Sequence, residues 1–153
     1  MTADKKPAVK FGTAFCKQMA IATCRSGQWG DIDLQPVQPL ALHPAAHVLH
    51  YSSSIFEGMK AYRWADGQVR IFRLDRHLER MRQSAEAMYL PFPGVEMVRQ
   101  AIFKVVNAVR EEIPNLPESL YIRPCLMGTA PDIGAAALPS DDACLFVLVS
   151  PVG

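Results

Sequence analysis

Apolar positions change their period several times along the chain, and each change predicts an element. Leu74, Leu78, Met81, Ala85 and Met88 follow one another at spacings of three and four, which places one buried stripe along a helix. Asp75 is placed to cap the start of that helix, and Pro91 bounds its end. Val95, Val98, Ile102, Val105 and Val109 predict a second amphipathic helix over about 95–113, closed by Pro114. From Ser119 the period falls to two. Leu120, Ile122, Pro124 and Leu126 then point one way, and Tyr121, Arg123, Cys125 and Met127 the other. The nearly continuous apolar run 143–149 predicts a central strand covered on both faces. Upstream, residues 19–25 read as a strand before the turn Ser26-Gly27-Gln28, and 29–42 as extended, edge-like chain interrupted by prolines. Residues 60–64 and 69–73 form a hairpin across Ala65-Asp66-Gly67-Gln68, whose Asp-Gly pair favours the turn. Strands, then two helices, then two more strands predict an α+β fold. The expected form is an open two-layer α/β sandwich with a mostly antiparallel sheet and two main helices.

Composition narrows the function classes. At 153 residues the chain is long enough for one well-buried core, taken as 11–153 after a charged, mobile tail at 1–10. A formal net charge of +1 leaves no concentrated basic footprint, so neither nucleic acid nor an anionic membrane is expected as the main partner. The opening residues lack the apolar run of a secretory signal or a membrane span, and a cytoplasmic location is expected. Cys16, Cys24, Cys125 and Cys144 show no C-x-x-C spacing and sit in apolar runs, as reduced buried thiols do. His43, His47 and His50 fall in one loop-like segment without cysteine or carboxylate companions, and no metal site is expected there. No repeat, low-complexity run or Gly-rich phosphate loop is present.

The chemistry concentrates in HYSSSIFEGMKAYR, residues 50–63. Phe56-Glu57-Gly58 combines an aromatic ring, a carboxylate and a residue without Cβ that lets another group approach the backbone closely. Taken alone, the three also fit a glycine-capped turn beside a solvated carboxylate. Arg73, Arg76, Arg80 and Ser84 flank the stripe of the first helix and on their own describe a solvated basic face. Tyr121 and Arg123 share one face of the later strand, where a guanidinium either reaches solvent or meets an anion. The Gly/Pro/Ala-rich stretch 128–140 is the kind of loop that lines a site.

Four motifs in order, HYSxxxFEGMKAYR, VRIFR, RHLERMRQSA and LYIRP, resemble the N-terminal half of the branched-chain amino acid aminotransferases, which are fold-type IV pyridoxal phosphate enzymes. The resemblance runs from about residue 29 to 153. It implies the small-domain sandwich of that group and pyridoxal 5′-phosphate as the cofactor of the complete enzyme. It matches Arg80 to the arginine that pairs with the cofactor phosphate, Phe56 to a wall of the substrate pocket, and Tyr121 and Arg123 to the pair that receives a substrate carboxylate. Tyr51, Gly134 and Ala135 match positions offered to the partner subunit's pocket, so a homo-oligomer is implied. Lys60 matches a lysine near the site that does not bear the cofactor. In the family the cofactor-bearing lysine lies in a further, C-terminal domain, and none of Lys5, Lys6, Lys10, Lys17, Lys60 and Lys104 lies in a motif that matches it. The resemblance therefore implies an N-terminal domain with no catalytic residue of its own, inactive and without bound cofactor by itself. Its parent would move the amino group of leucine, isoleucine or valine to 2-oxoglutarate. A D-amino acid aminotransferase or aminodeoxychorismate lyase fragment is the alternative of the same fold, and a non-catalytic dimerisation domain the alternative of another class.

Overall fold

The computed structural model describes residues 10–134 and 138–153. The expected tail falls, apart from Lys10, outside the described residues, as does Ala135. Among the described residues the elements run β1 (Gln18–Arg25), β2 (Gln28–Trp29), β3 (Asp33–Pro36), α1 (His47–Tyr51), β4 (Ser54–Phe56), β5 (Met59–Arg63), β6 (Val69–Ile71), α2 (Leu74–Ala87), α3 (Val95–Ala108), a 3-10 turn (Arg110–Glu112), β7 (Ser119–Gly128) and β8 (Ala143–Val152). The strands form one sheet in the order β2-β1-β8-β7-β5-β6, with β3 added to β1 and β4 to β7. Every pairing is antiparallel. This is the expected α+β sandwich, with the short α1 in a segment that the sequence suggested was loop.

One face of the sheet meets the helices. Leu120, Ile122 and Leu126 of β7, Leu145, Val147 and Val149 of β8, and Ala20 and Cys24 of β1 pack on Leu78, Met81 and Ala85 of α2 and on Val98, Ala101, Ile102 and Val105 of α3. Fully burying an aliphatic side chain of this size contributes about 1.5–3 kcal/mol, so this layer holds the sandwich closed. The alternation read for β7 is the one observed. Met88, the expected last member of the α2 stripe, lies just past the helix end and is exposed. The β1–β2 turn has Ser26 and Gly27 both left-handed, at φ 48° and 76°, as a two-residue hairpin loop requires.

Two expectations change. Asp75 does not cap α2: Arg73, left-handed at φ 52°, precedes the helix without a side-chain cap, and Asp75 sits inside the first turn. Its Oδ1 accepts a hydrogen bond of 2.7 Å from Arg99 of α3, an inter-helix pair in place of a cap. β8 is central, between β1 and β7, and its helix-side Leu145, Val147 and Val149 are fully covered, but the opposite face is covered only in part, with Cys144 and Ser150 buried. Phe146 and Leu148, on that face, are half-buried, and two straps of chain run over it. The first is residues 10–16, tied down by Cys16 N–H to the Val149 carbonyl at 2.9 Å and by Ser150 Oγ–H to the Ala14 carbonyl. The second is residues 38–43, which share a hollow of about 400 Å³ with Ile21, Met127 and Cys144.

Candidate active site

Between those straps the open face carries the residues singled out in the sequence. β4 and β5 pair with β7 in one register, Phe56 opposite Cys125 and Met59 opposite Ile122. Glu57 and Gly58 fall between them, across from Pro124 and Arg123. Pro124 has no N–H, so the ladder narrows to a single bond there, Glu57 N–H to the Pro124 carbonyl at 3.1 Å. Strand alternation continues through the gap. Phe56 and Gly58 therefore face the open side with Tyr121 and Arg123, while Glu57 faces the helices.

On the open side the four residues form one cluster. The Arg123 guanidinium donates from Nη2 and Nε to Tyr121 Oη, at 2.8 and 3.2 Å, and lies 4.3 Å from the Phe56 ring centroid, a cation–π distance. Gly58 is required by this arrangement. A Cβ there would meet Tyr121 Oη at 2.3 Å and Cζ at 3.0 Å, so the group that approaches the glycine backbone is the chain's own phenol. Tyr121 Oη accepts both arginine bonds and keeps its own hydrogen for a further acceptor. No carboxylate among the described residues pairs with Arg123. Phenol and guanidinium thus present donors and positive charge to whatever lies above the sheet.

On the helix side Glu57 is buried, 4% exposed, and its carboxylate takes two 2.6 Å bonds from Arg80, Nε to Oε1 and Nη2 to Oε2. His77 Nδ1 is 3.1 Å from Oε2. Burial alone would raise the Glu57 carboxyl, but hydrogen bonds from Arg80 and His77 outweigh it and hold the group below the usual carboxylate range. Glu57 is therefore not a solvated carboxylate, and Arg80 is not an unpaired surface cation. Arg80 is nonetheless 64% exposed, with Nη1 unengaged, which leaves it the outer edge of a guanidinium for an anion. That edge, charged, planar and open to solvent, fits a phosphate group.

Tyr51 and Gly134 form a second, separate cluster. Tyr51 Oη–H donates to the Ile133 carbonyl, and Gly134 N–H to Asp132 Oδ1 at 2.8 Å. This loop begins after Gly128, roughly 16 Å of strand beyond Arg123, and neither Tyr51 nor Gly134 is among the residues that line the hollow beside Tyr121 and Arg123. Two contributors were missed in the sequence. Phe11 sets its ring edge against Tyr121, centroids 4.9 Å apart, and with Phe15, Leu148 and Ser150 encloses a hollow of about 150 Å³ beside Tyr121 and Arg123. Its signal was weak: two phenylalanines directly after a charged tail. His77 had a clearer one, three residues before Arg80 and so on the same helix face. Among the described residues no cluster of ligands could hold a metal ion. Cys16, Cys24 and Cys144 are buried free thiols as expected, with burial first among the causes that push Cys144 up to about 11, whereas Cys125 is free but only half-buried.

An antiparallel sheet with helices packed on one face matches the small domain of a fold-type IV aminotransferase. A model of the family described as Amino-transferase class IV matches residues 54–152, from β4 to the end of β8. The chain belongs to the class IV aminotransferase family, whose cofactor is pyridoxal 5′-phosphate. It is 39% identical over 155 residues to the cytosolic branched-chain-amino-acid aminotransferase of Rattus norvegicus, covering 97% of this chain and 37% of that one. It is 36% identical over 160 residues to branched-chain-amino-acid aminotransferase 2 of Bacillus subtilis (strain 168), covering 100% and 44%. Among solved structures, the T.th. branched-chain amino acid aminotransferase with pyridoxamine 5′-phosphate matches with a TM-score of 0.67 at 30% identity, over 88% of this chain and 40% of that one. The chain thus spans less than half the length of these relatives.

Proposed function

We propose that this chain supplies the N-terminal, substrate-side domain of a branched-chain amino acid aminotransferase that exchanges leucine, isoleucine or valine with 2-oxoglutarate. The observation that carries the reading is the Phe56–Tyr121–Arg123 cluster at the Glu57–Gly58 corner. It combines apolar walls with a pair of donors that no internal carboxylate among the described residues satisfies. Tyr121 and Arg123 orient a substrate by its carboxylate, and the Phe56 ring lies under the guanidinium as a flat wall for an aliphatic side chain. Phe11 and Phe15 line the hollow beside them with apolar surface. Arg80 holds the cofactor phosphate through its outer edge. The cofactor, when bound, supplies the electron sink for the α-carbon chemistry, and the protein supplies orientation and electrostatics.

Tyr51, with Gly134 held in the same loop cluster, faces a second subunit in this reading, in a homo-oligomer. A cytoplasmic location remains part of the proposal. No described helix is long and apolar enough to cross a membrane, and the relatives include cytosolic and mitochondrial enzymes. The test is the substrate profile of the protein encoded by the complete reading frame. The expected result is amino transfer from L-leucine, L-isoleucine and L-valine to 2-oxoglutarate, with D-alanine and aminodeoxychorismate not turned over. Preference for either of the last two overturns the reading in favour of the same-fold alternatives, and no turnover of any favours a non-catalytic domain.

A further inference from the structure

We propose that Glu57, supported by His77, is a positioning residue that grips Arg80 by one edge and thereby aims its other edge at a phosphoryl anion. The inference rests on the assignment of Arg80 to the cofactor phosphate and goes beyond it by naming what sets the arginine's direction. A guanidinium has a side edge, formed by Nε and Nη2, and an end edge, formed by Nη1 and Nη2. Glu57 occupies the side edge with two bonds of 2.6 Å, so both hydrogens of Nη1 and the outer one of Nη2 stay free. The end edge that remains is a two-pronged donor, suited to two oxygens of one phosphoryl group.

The asymmetry of burial distinguishes this pair from the surface pairs of the same helix. Arg82 bridges Glu79 and Glu86, and all three side chains are at least a third exposed. Glu57 is 4% exposed beneath an arginine that is 64% exposed. Its backbone is pinned to β7 by the N–H bond to Pro124, so the flexible partner adapts to the fixed one. A carboxylate only accepts hydrogen bonds, which makes His77 Nδ1 a donor to Oε2. The imidazole also stands 3.4 Å from Arg80 Nη2, backing the same oxygen that the arginine uses. Strand corner, carboxylate and histidine therefore fix a long side chain that would otherwise sample many rotamers in solvent.

Charge and orientation make opposite forecasts. If Glu57 only neutralises Arg80, its removal frees positive charge and tightens anion binding. If it positions Arg80, its removal loosens binding although the local charge becomes more favourable. The test titrates inorganic phosphate into the 153-residue chain, following the Arg80 Nε–H signal by NMR, for wild type, Arg80→Ala, Glu57→Gln, Glu57→Asp and His77→Asn. Glu57→Gln is expected to weaken phosphate binding about tenfold, in line with loss of a supporting hydrogen-bond partner, and to move the Nε–H signal to the position of a free arginine. Glu57→Asp keeps the charge but shortens the reach and should weaken binding as well. His77→Asn, at a position less buried than Glu57 and so the second variant should Glu57→Gln unfold the chain, should act in the same direction by a smaller factor. Unchanged or tighter binding in the Glu57 variants, or an unmoved Nε–H signal, overturns the inference and leaves the Arg80 assignment standing. Wild-type affinity in Arg80→Ala overturns both.

Discussion

Replacing Gly58 with alanine tests the open-face cluster through its tightest contact. The new Cβ would sit 2.3 Å from Tyr121 Oη and 3.0 Å from Cζ, where ordinary contact begins at 3.4 Å. The phenol must therefore retreat by about 1 Å, since backbone on the other side cannot. That movement breaks the 2.8 and 3.2 Å bonds from Arg123 and disturbs the 4.9 Å edge contact with Phe11. Hydrogen bonds to a charged group contribute about 1.5–3 kcal/mol when well buried; here the pair is half-buried, and about 1–2 kcal/mol is the expected loss. Overpacking adds about 1 kcal/mol, and the lower chain entropy of alanine in the unfolded state returns about 0.5 kcal/mol. The net is about 2 kcal/mol, or a fall in Tm of about 6 °C for a chain of this size. Urea unfolding of wild type, Gly58→Ala, Tyr121→Phe and the double variant measures it. Because Tyr121→Phe removes the atom at 2.3 Å, alanine should cost less in its presence, with a coupling of at least about 0.5 kcal/mol. A Gly58→Ala chain as stable as wild type, with additive effects in the double variant, would refute the placement of the phenol over the glycine.

Arg80→Ala should leave the complete enzyme folded, at a lower Tm because buried Glu57 loses its partner, and should weaken cofactor retention roughly tenfold to a hundredfold, as loss of a charge-assisted pair does. Dialysis against cofactor-free buffer, followed by absorbance, reads this out. Ile122→Ala should lower stability by about 2–5 kcal/mol through lost burial and a cavity, whereas Tyr121→Phe should alter KM or kcat with a smaller stability loss. Thermal melts and steady-state kinetics of the two separate packing from function. Acid stability should carry the signature of Glu57. Its folded pKa lies below the unfolded value of about 4.3, so its contribution is complete above that pH and is lost as pH falls through the folded value. The stability gap between wild type and Glu57→Gln should therefore shrink below about pH 4; a gap independent of pH from about pH 5 down to about pH 3 would contradict the direction of the shift.

Periodicity made the sandwich legible because burial follows it: Leu78, Met81 and Ala85 on α2 and Leu120, Ile122 and Leu126 on β7 are the residues that close the core. The cap of α2 was not legible. Asp75 suits either a cap or an inter-helix pair, and only the position of Arg99 on α3 decides between them. For the site, local sequence located the corner but not its wiring. Glu57 and Gly58 are adjacent, yet one is buried against α2 and the other lies under a phenol from β7, because a strand sends neighbours to opposite faces. Both partners come from far along the chain, where spacing carries no signal. Phe11 is the extreme case, joined to Tyr121 only by the fold.

The central claim is that Tyr121 and Arg123 receive a substrate carboxylate. Its most direct test is kcat/KM for 2-oxoglutarate and for L-leucine in the complete enzyme with Arg123→Met, which keeps an apolar stem over Phe56 and removes the charge and its donors. The expected result is a fall of roughly tenfold to a hundredfold in kcat/KM for at least one of the two substrates, with cofactor still bound. Values within about twofold of wild type for both substrates would contradict it.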